Sequence, residues 1–384
     1  MIPIKIISVV GARPNFMKIA PFVKAIEGHN ARHPDKPVRH ILVHTGQHYD
    51  MRMSEGFFRS LSIPDPDINL EIGSGTHAEQ VGQTMIAFEK VLLQERPDWV
   101  VVVGDVNATL ACSVTAKKLC VKVCHIEAGL RSGDITMPEE INRLVTDRLS
   151  DLLLTPDRLS NENLRREGVL DEKIGFVGNI MIDTLEANRE KAASLDPSSI
   201  LRENLLMPGA VCPALDGSYA LLTMHRPSNV DQKEVLEPIL NFLTDEVAVR
   251  MPVIWPIHPR TRKMLETFGL WSKAMSCSNL VLLHPIGYHE MLRLNMQATV
   301  MLTDSGGLQE ECCVLGTPCL TLRWNTERPV TLKEHGGASV LVGNNVEQIR
   351  NEFLIALELD RIPQRPDLWD GKAAVRCVEE LLRK

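Results

Sequence analysis

Aromatic residues are scarce in this chain. Trp, Tyr and Phe together make up 4% of 384 residues, too few to build stacking platforms for single-stranded nucleic acid. Positive charge is not in excess either: 42 Lys and Arg stand against 49 Asp and Glu, a net charge of -7. Without a basic field to hold a phosphate backbone, nucleic acid is not an expected partner. Apolar runs such as Trp99 to Val103 are strand length and far short of the ~20 residues that cross a bilayer, so no membrane partner is expected. Ile4 to Val10 is a β-branched run with no charged region before it and no small-residue cleavage site after it, so it reads as a first strand of a cytoplasmic protein. The nine cysteines include no C-x-x-C pair and read as reduced, mostly buried thiols. No metal centre is expected from them. The first strand is followed by no G-x-G-x-x-G, so a nicotinamide cofactor is not expected.

What the chain does have is 44% hydrophobic residues in a repeating rhythm, enough for more than one core. Short β-branched runs at Ile4–Val10, Arg39–Thr45, Trp99–Val103, Val121–Ile126, Asp151–Thr155 and Ile174–Val177 alternate with helical stretches such as His77–Gln94 and Ala108–Leu119. A second series follows at Tyr219–Met224, Pro252–Ile257, Leu280–Leu283, Thr299–Thr303, Cys319–Leu322 and Ser339–Val342. Such alternation predicts an α/β protein of two doubly wound, Rossmann-like domains. The first is expected over 1–186, a linker rich in Pro, Gly and Asp over 187–217, and the second domain over 218–370. The segment 371–384 is helical in period and could return to the first domain. Ligands of such sheets lie at the carboxyl ends of the strands, and a cleft between two domains would use both sets.

The strand ends carry chemistry. Gly11 to Lys18 puts Arg13 and Lys18 at the start of a helix, where cations and free backbone donors suit an anion; two solvated cations beside a turn fit as well. Thr303-Asp-Ser-Gly-Gly307 lies between a strand and a helix, so Ser305, Gly306 and Gly307 can cradle a phosphate, although a plain turn accounts for the glycines equally. Glu311 could accept from a ribose diol, and Arg323 follows the next strand. Asp105, Glu127 and His225 each end a strand run, and Glu139 follows Pro138 at a helix start. Taken singly, these fit helix caps, dipole pairing and a core histidine. Together they form an acid and base set, and three carboxylates in one cleft would raise the pKa of the least solvated.

The segments GARPNFMKIAP, HTGQHYD, VGDVNATLA, HIEAGLRSGD, MPEEINR, VGNIMIDTL, HRPSNVD, TDSGGLQEE and TERPVT, in that order, resemble the non-hydrolysing UDP-N-acetylglucosamine 2-epimerases. The likeness runs from the first strand to about Val342. It implies a GT-B-like pair of Rossmann-like domains with a nucleotide sugar in the cleft, no redox cofactor or metal, and a homodimer serving cell-surface polysaccharide synthesis. It also implies a reversible reaction: the proton on carbon 2 is lost as UDP leaves, giving a 2-acetamidoglucal, and UDP adds back with a proton from the opposite face. On this resemblance the catalytic set is Asp105, Glu127, Glu139 and His225. Phosphate and sugar contacts fall on Arg13, Lys18, Arg143, Ser305, Gly306 and Gly307, ribose on Glu311, and further contacts on Arg323 and His258.

The chain departs from its relatives in places. His225-Arg-Pro-Ser228 stands where many relatives read His-Arg-Arg-Glu, and Met291 aligns with a uracil-side phenylalanine, leaving Ile286 as a backbone contact. Where some relatives bind activating substrate through two glutamines, this chain has Gln47 and Asp50, which counts against activation by substrate and leaves Gln47 as the one regulatory candidate of that pair. HTGQHYD and HRPSN also occur in relatives acting on UDP-2,3-diacetamido sugar acids, which keeps that substrate open. So do a hydrolysing 2-epimerase that releases N-acetylmannosamine and, more remotely, a GT-B glycosyltransferase or a nucleotide-sugar sensor.

Overall fold

Strands made almost wholly of β-branched and leucine residues can pair only where both faces are covered, and they do so here. The computed structural model describes residues 3–11, 13–46, 65–207, 215 and 218–384, the side chains of residues 13 and 14 excepted. Gln47 lies outside the described residues, as does the side chain of Arg13. Among the described residues, β1 (Ile4–Val10), β2 (Val38–His44), β3 (Ile68–Asn69), β4 (Trp99–Val103), β5 (Lys122–Ile126), β6 (Leu152–Thr155) and β7 (Ile174–Phe176) form one parallel sheet. Its order is β3-β2-β1-β4-β5-β6-β7. A second parallel sheet, β10-β9-β8-β11-β12-β13, is built from β8 (Ala220–Thr223), β9 (Val253–Pro256), β10 (Leu280–Leu283), β11 (Val300–Thr303), β12 (Cys319–Thr321) and β13 (Ser339–Leu341). In both sheets the chain starts in the middle, winds to one side, and then crosses to the other. The switch points, between β1 and β4 and between β8 and β11, are where a doubly wound sheet opens a crevice for ligand.

The period of two along each strand sorts side chains between the helical layers. In the second sheet Leu222, Leu302 and Leu320 join one apolar cluster with Trp255 and Phe353, while Leu221, Met301 and Cys319 face the other with Ile254 and Leu283. Ile7, Val9, Val43, Val100 and Val102 pack with Phe88 on one face of the first sheet.

The chain divides into a unit of Met1–Ala187 with Pro366–Lys384 and a unit of Asn188–Arg365, so the division falls inside the helix Ile180–Ala193. Within the stretch read as a linker, residues 187–207 are structured. Asp196 caps the helix Pro197–Asn204 by accepting from Ser199 N at 3.0 Å, and Ile200 and Leu201 sit in the core of the second unit. Asp196 and Pro197 there mark a helix start, which composition cannot tell from a loose linker.

The terminal helix Ala373–Arg383 belongs to the first unit. Trp369 is buried just before it and donates to the Pro156 carbonyl at 3.0 Å. Gly178 lies under this return with φ +87°, where an added Cβ would stand 2.2 Å from the Leu368 carbonyl oxygen; only glycine fits.

Candidate functional site

In the first unit the site grows from the ends of β4 and β5. Gly104 follows β4 with φ +67°, and an added Cβ would meet Lys18 Nζ at 3.0 Å and Glu127 Oε2 at 3.3 Å. The glycine therefore makes room for an ion pair. Lys18 donates to the Glu127 carboxylate, and both side chains are buried. Lys18 was expected in the first turn of its helix, but Arg13–Arg32 starts early enough to put it in the second. From there it reaches a carboxylate of this chain as well as facing the strand ends.

Asp105, next along, is a quarter exposed and accepts from Arg143, whose guanidinium is buried and also donates to Glu140 at 2.6 and 3.0 Å. Two of the three expected acids thus have their own cations, which offsets the mutual repulsion that three bare carboxylates would suffer. The third, Glu139, is exposed at the first turn of Pro138–Leu149, while its neighbour Glu140 is the buried one. Burial opposes charge on Glu140, yet donors from Ser132, Arg143 and Gly133 hold its carboxyl below the usual range. Glu140 anchors Arg143 rather than opening to solvent.

In the second unit the equivalent strand ends carry the other candidates. His225 follows β8, is 44% exposed, and lies with Nδ1 2.9 Å from Asp304 Oδ1 at the end of β11. Asp304 also accepts from the backbone N–H groups of His225 and Arg226, each at 2.8 Å. Burial alone would raise this acid, but His225 and those N–H groups keep its carboxyl below the usual range. The arrangement fixes the imidazole and leaves its other nitrogen pointing away from the carboxylate. The His258 ring stands 5.1 Å from that of His225 and caps the helix Pro259–Thr267 by accepting from Arg260 N at 3.1 Å.

The helix that follows β11 runs Gly306–Leu315, so Gly306 and Gly307 form its first turn and Ser305 precedes it without a side-chain cap bond. Amide donors of such a turn favour an anion. Gly306 is hemmed in: an added Cβ would lie 2.6 Å from Arg328 Nη1 and 2.8 Å from Glu327 Oε1. Those two residues belong to a buried run of charges. Arg323 donates to Glu327 at 2.6 Å, Arg328 donates to the other Glu327 oxygen, and Arg328 Nε donates to Glu310 at 2.7 Å. Arg323 Nη1 is buried with no hydrogen-bond partner among the described residues. Glu311, on the same helix, is buried deeply enough to push its carboxyl up to about 8, against the hydrogen bonds of Tyr288 and Asn295. Ile286 and Met291 share one apolar cluster with Leu308.

The sequence reading singled out neither His125, Glu140 and Asp147 in the first unit nor Asp304, Glu327 and Arg328 in the second. All but Asp147 fall inside quoted segments, HIEAGLRSGD, MPEEINR, TDSGGLQEE and TERPVT, so the signal lay in the motif and not in the residue. Asp147 left none.

Comparisons with known proteins agree on one family. A family model described as UDP-N-acetylglucosamine 2-epimerase matches residues 30–382. The UDP-N-acetylglucosamine 2-epimerase of Methanocaldococcus jannaschii is 41% identical over 378 residues, covering 98% of each chain. A UDP-2,3-diacetamido-2,3-dideoxy-D-glucuronate 2-epimerase of Pseudomonas aeruginosa is 40% identical, covering 99% of each. A crystal structure of the M. jannaschii enzyme in complex with UDP-GlcNAc and UDP superposes with a TM-score of 0.88 at 40% identity, over 99% of this chain and 100% of that one. With acids at the strand ends of one Rossmann-like unit and a phosphate-type turn in the other, the chain belongs to the UDP-N-acetylglucosamine 2-epimerase family.

Proposed function

We propose that the protein interconverts UDP-N-acetylglucosamine and UDP-N-acetylmannosamine. The observation that carries this reading is the pair Asp105 and Glu127, held at the ends of adjoining strands, each by its own buried cation. A base takes the proton from carbon 2, its electrons form the C1–C2 double bond, and the C1–O bond breaks as UDP leaves. Re-addition with a proton delivered to the opposite face completes the inversion, so acids on both faces are required. Asp105, Glu127 and Glu139 are the acid candidates of the first unit. In the second, the Ser305 hydroxyl, the Gly306 and Gly307 amides and Arg323 would take the charge that builds on the leaving pyrophosphate, with His225 and His258 beside them. Glu311 would take the ribose, Ile286 and Met291 the uracil side, Arg13 and Lys18 the sugar phosphate. In this assignment Arg143 acts on substrate through Asp105, and Gln47 would tune activity. No cofactor enters.

A homodimer in the cytoplasm, feeding cell-surface polysaccharide synthesis, accompanies this reading. Ile86, Leu93 and Ile141, 64%, 58% and 44% exposed in the first unit, supply apolar surface for a second copy. A second substrate is favoured by the Pseudomonas relative at 40% identity: the UDP-2,3-diacetamido sugar acid.

Incubation in deuterium oxide tests both. Carbon 2 of the preferred UDP sugar should take up deuterium while the epimer forms, and phosphorus NMR should show UDP staying sub-stoichiometric, which a hydrolysing enzyme would not. Asp105→Asn and Glu127→Gln should each cut exchange by about 100-fold or more while UDP affinity changes by no more than about 3-fold. No exchange with either UDP sugar would sink the proposal.

A further inference from the structure

Glu127 has a backbone that glutamate rarely adopts. Its φ is +71°, in the left-handed region, and its side chain is buried. Something must hold it there, and the surrounding bonds identify what does. Asp147, buried in the helix Pro138–Leu149, takes hold on both sides of Glu127: Oδ1 accepts from His125 Nδ1 at 2.6 Å and Oδ2 from Gly129 N at 3.0 Å. Arg131 closes the same carboxylate at 2.7 Å and is itself fixed by Glu167 through two bonds of 2.7 Å. His125 is fully buried, and its second nitrogen donates to the Gly104 carbonyl at 2.8 Å. Gly104 in turn donates its N–H to the Ile126 carbonyl at 3.1 Å, and its next residue is Asp105. One imidazole therefore bonds the turn that carries Glu127 to the turn that carries Asp105.

We infer that His125, clamped by Asp147, is a positioning residue that sets the spacing of Asp105 and Glu127 for the two proton transfers. Fully buried, it is closed off from substrate, and its two ring nitrogens face the Asp147 carboxylate and the Gly104 carbonyl. The inference rests on the assignment of Asp105 and Glu127 as the working acids. A glutamine at 125 has one amide group and cannot keep both bonds at their present lengths and directions. The two acids would then drift by a fraction of an ångström, which costs rate far more than binding.

The experiment pairs kinetics with a crystal structure of His125→Gln, and uses Asp147→Asn as a second variant should the first not fold. Expected are a fall in kcat for carbon-2 deuterium exchange of about 30-fold or more, with KM and UDP affinity within about 3-fold, assayed well below the melting temperature. The structure should show Glu127 out of its left-handed conformation or its contact with Lys18 lost. A kcat within about 3-fold of the parent, or KM rising in step with the loss of kcat, would overturn the inference. So would a variant structure in which Glu127 and Asp105 have not moved. If the parent protein shows no exchange, the epimerase reading fails instead, and the variant structure alone decides whether His125 fixes the two acids.

Discussion

Glu311 sits among Glu310, Tyr288 and Asn295, where burial pushes its carboxyl from the ordinary 4.5 up to about 8. The folded protein without nucleotide therefore keeps this proton at neutral pH, while the unfolded chain has lost it. Between about 4.5 and about 8 the unfolded state binds fewer protons, so this group's contribution to stability falls as pH rises through that window. A ribose diol donating to the carboxylate favours the charged form and reverses the preference. UDP binding at pH 7 should accordingly release a proton, visible as a dependence of calorimetric binding heat on the buffer's ionisation enthalpy. Affinity should rise as pH climbs toward about 8. Glu311→Gln should abolish the release; a release that survives in that variant would show that another group is responsible. Single residues are also where sequence reading reached its limit. Glu139 and Glu140 are adjacent acids in the first turn of one helix, and only the packing of that turn against Ser132, Gly133 and Arg143 decides which is buried. Ion pairs such as Lys18 with Glu127 and Arg143 with Asp105 join residues far apart in the chain, so no spacing rule announces them.

Elements were far more legible, because a strand covered on both faces must be apolar throughout and its flanking glycines and acids must lie at its ends. β1, β4 and β10 have the bounds that the β-branched runs predict, and the other expected strands differ by a residue or two at their ends. β3, two residues long, is too short to carry any period and was not foreseen. The terminal helix is the instructive case, since its period was legible and its docking was not. Lys372 at its N-cap makes no side-chain cap bond. Its first amides are instead taken by Asp183, from another helix, which accepts from Ala373 N at 3.0 Å and Ala374 N at 2.7 Å. A cap supplied from a distance of 190 residues leaves no local signature. Asp183→Ala should destabilise the first unit by about 1–2 kcal/mol in urea unfolding, the usual cost of losing a cap. UDP affinity should stay within about 3-fold, because most of the proposed nucleotide contacts lie in the other unit and the cap is remote in function from Arg13 and Lys18; a larger loss of UDP binding would refute that separation.

At the scale of the whole molecule, the two units differ in how they are written in the chain. Asn188–Arg365 is continuous and holds the proposed UDP contacts other than Arg13 and Lys18: Ser305, Gly306, Gly307, Glu311, Arg323, Ile286 and Met291. The first unit is interrupted, since it needs Pro366–Lys384 to bury Trp369, Cys377, Val378 and Leu381. Burying each large apolar side chain is worth about 1.5–3 kcal/mol, so losing this set rivals the roughly 5–15 kcal/mol that holds a domain folded. Residues 188–365 expressed alone should therefore unfold cooperatively and bind UDP within about tenfold of the intact protein while catalysing no exchange, because the acids are absent. Residues 1–187 alone should show no cooperative melt by circular dichroism, and joining residues 366–384 to them through a short flexible linker should restore one. A cooperative melt of 1–187 without the return helix would mean that the first sheet is stable on its own helices. The C-terminal segment would then have to be explained by something other than the core it completes.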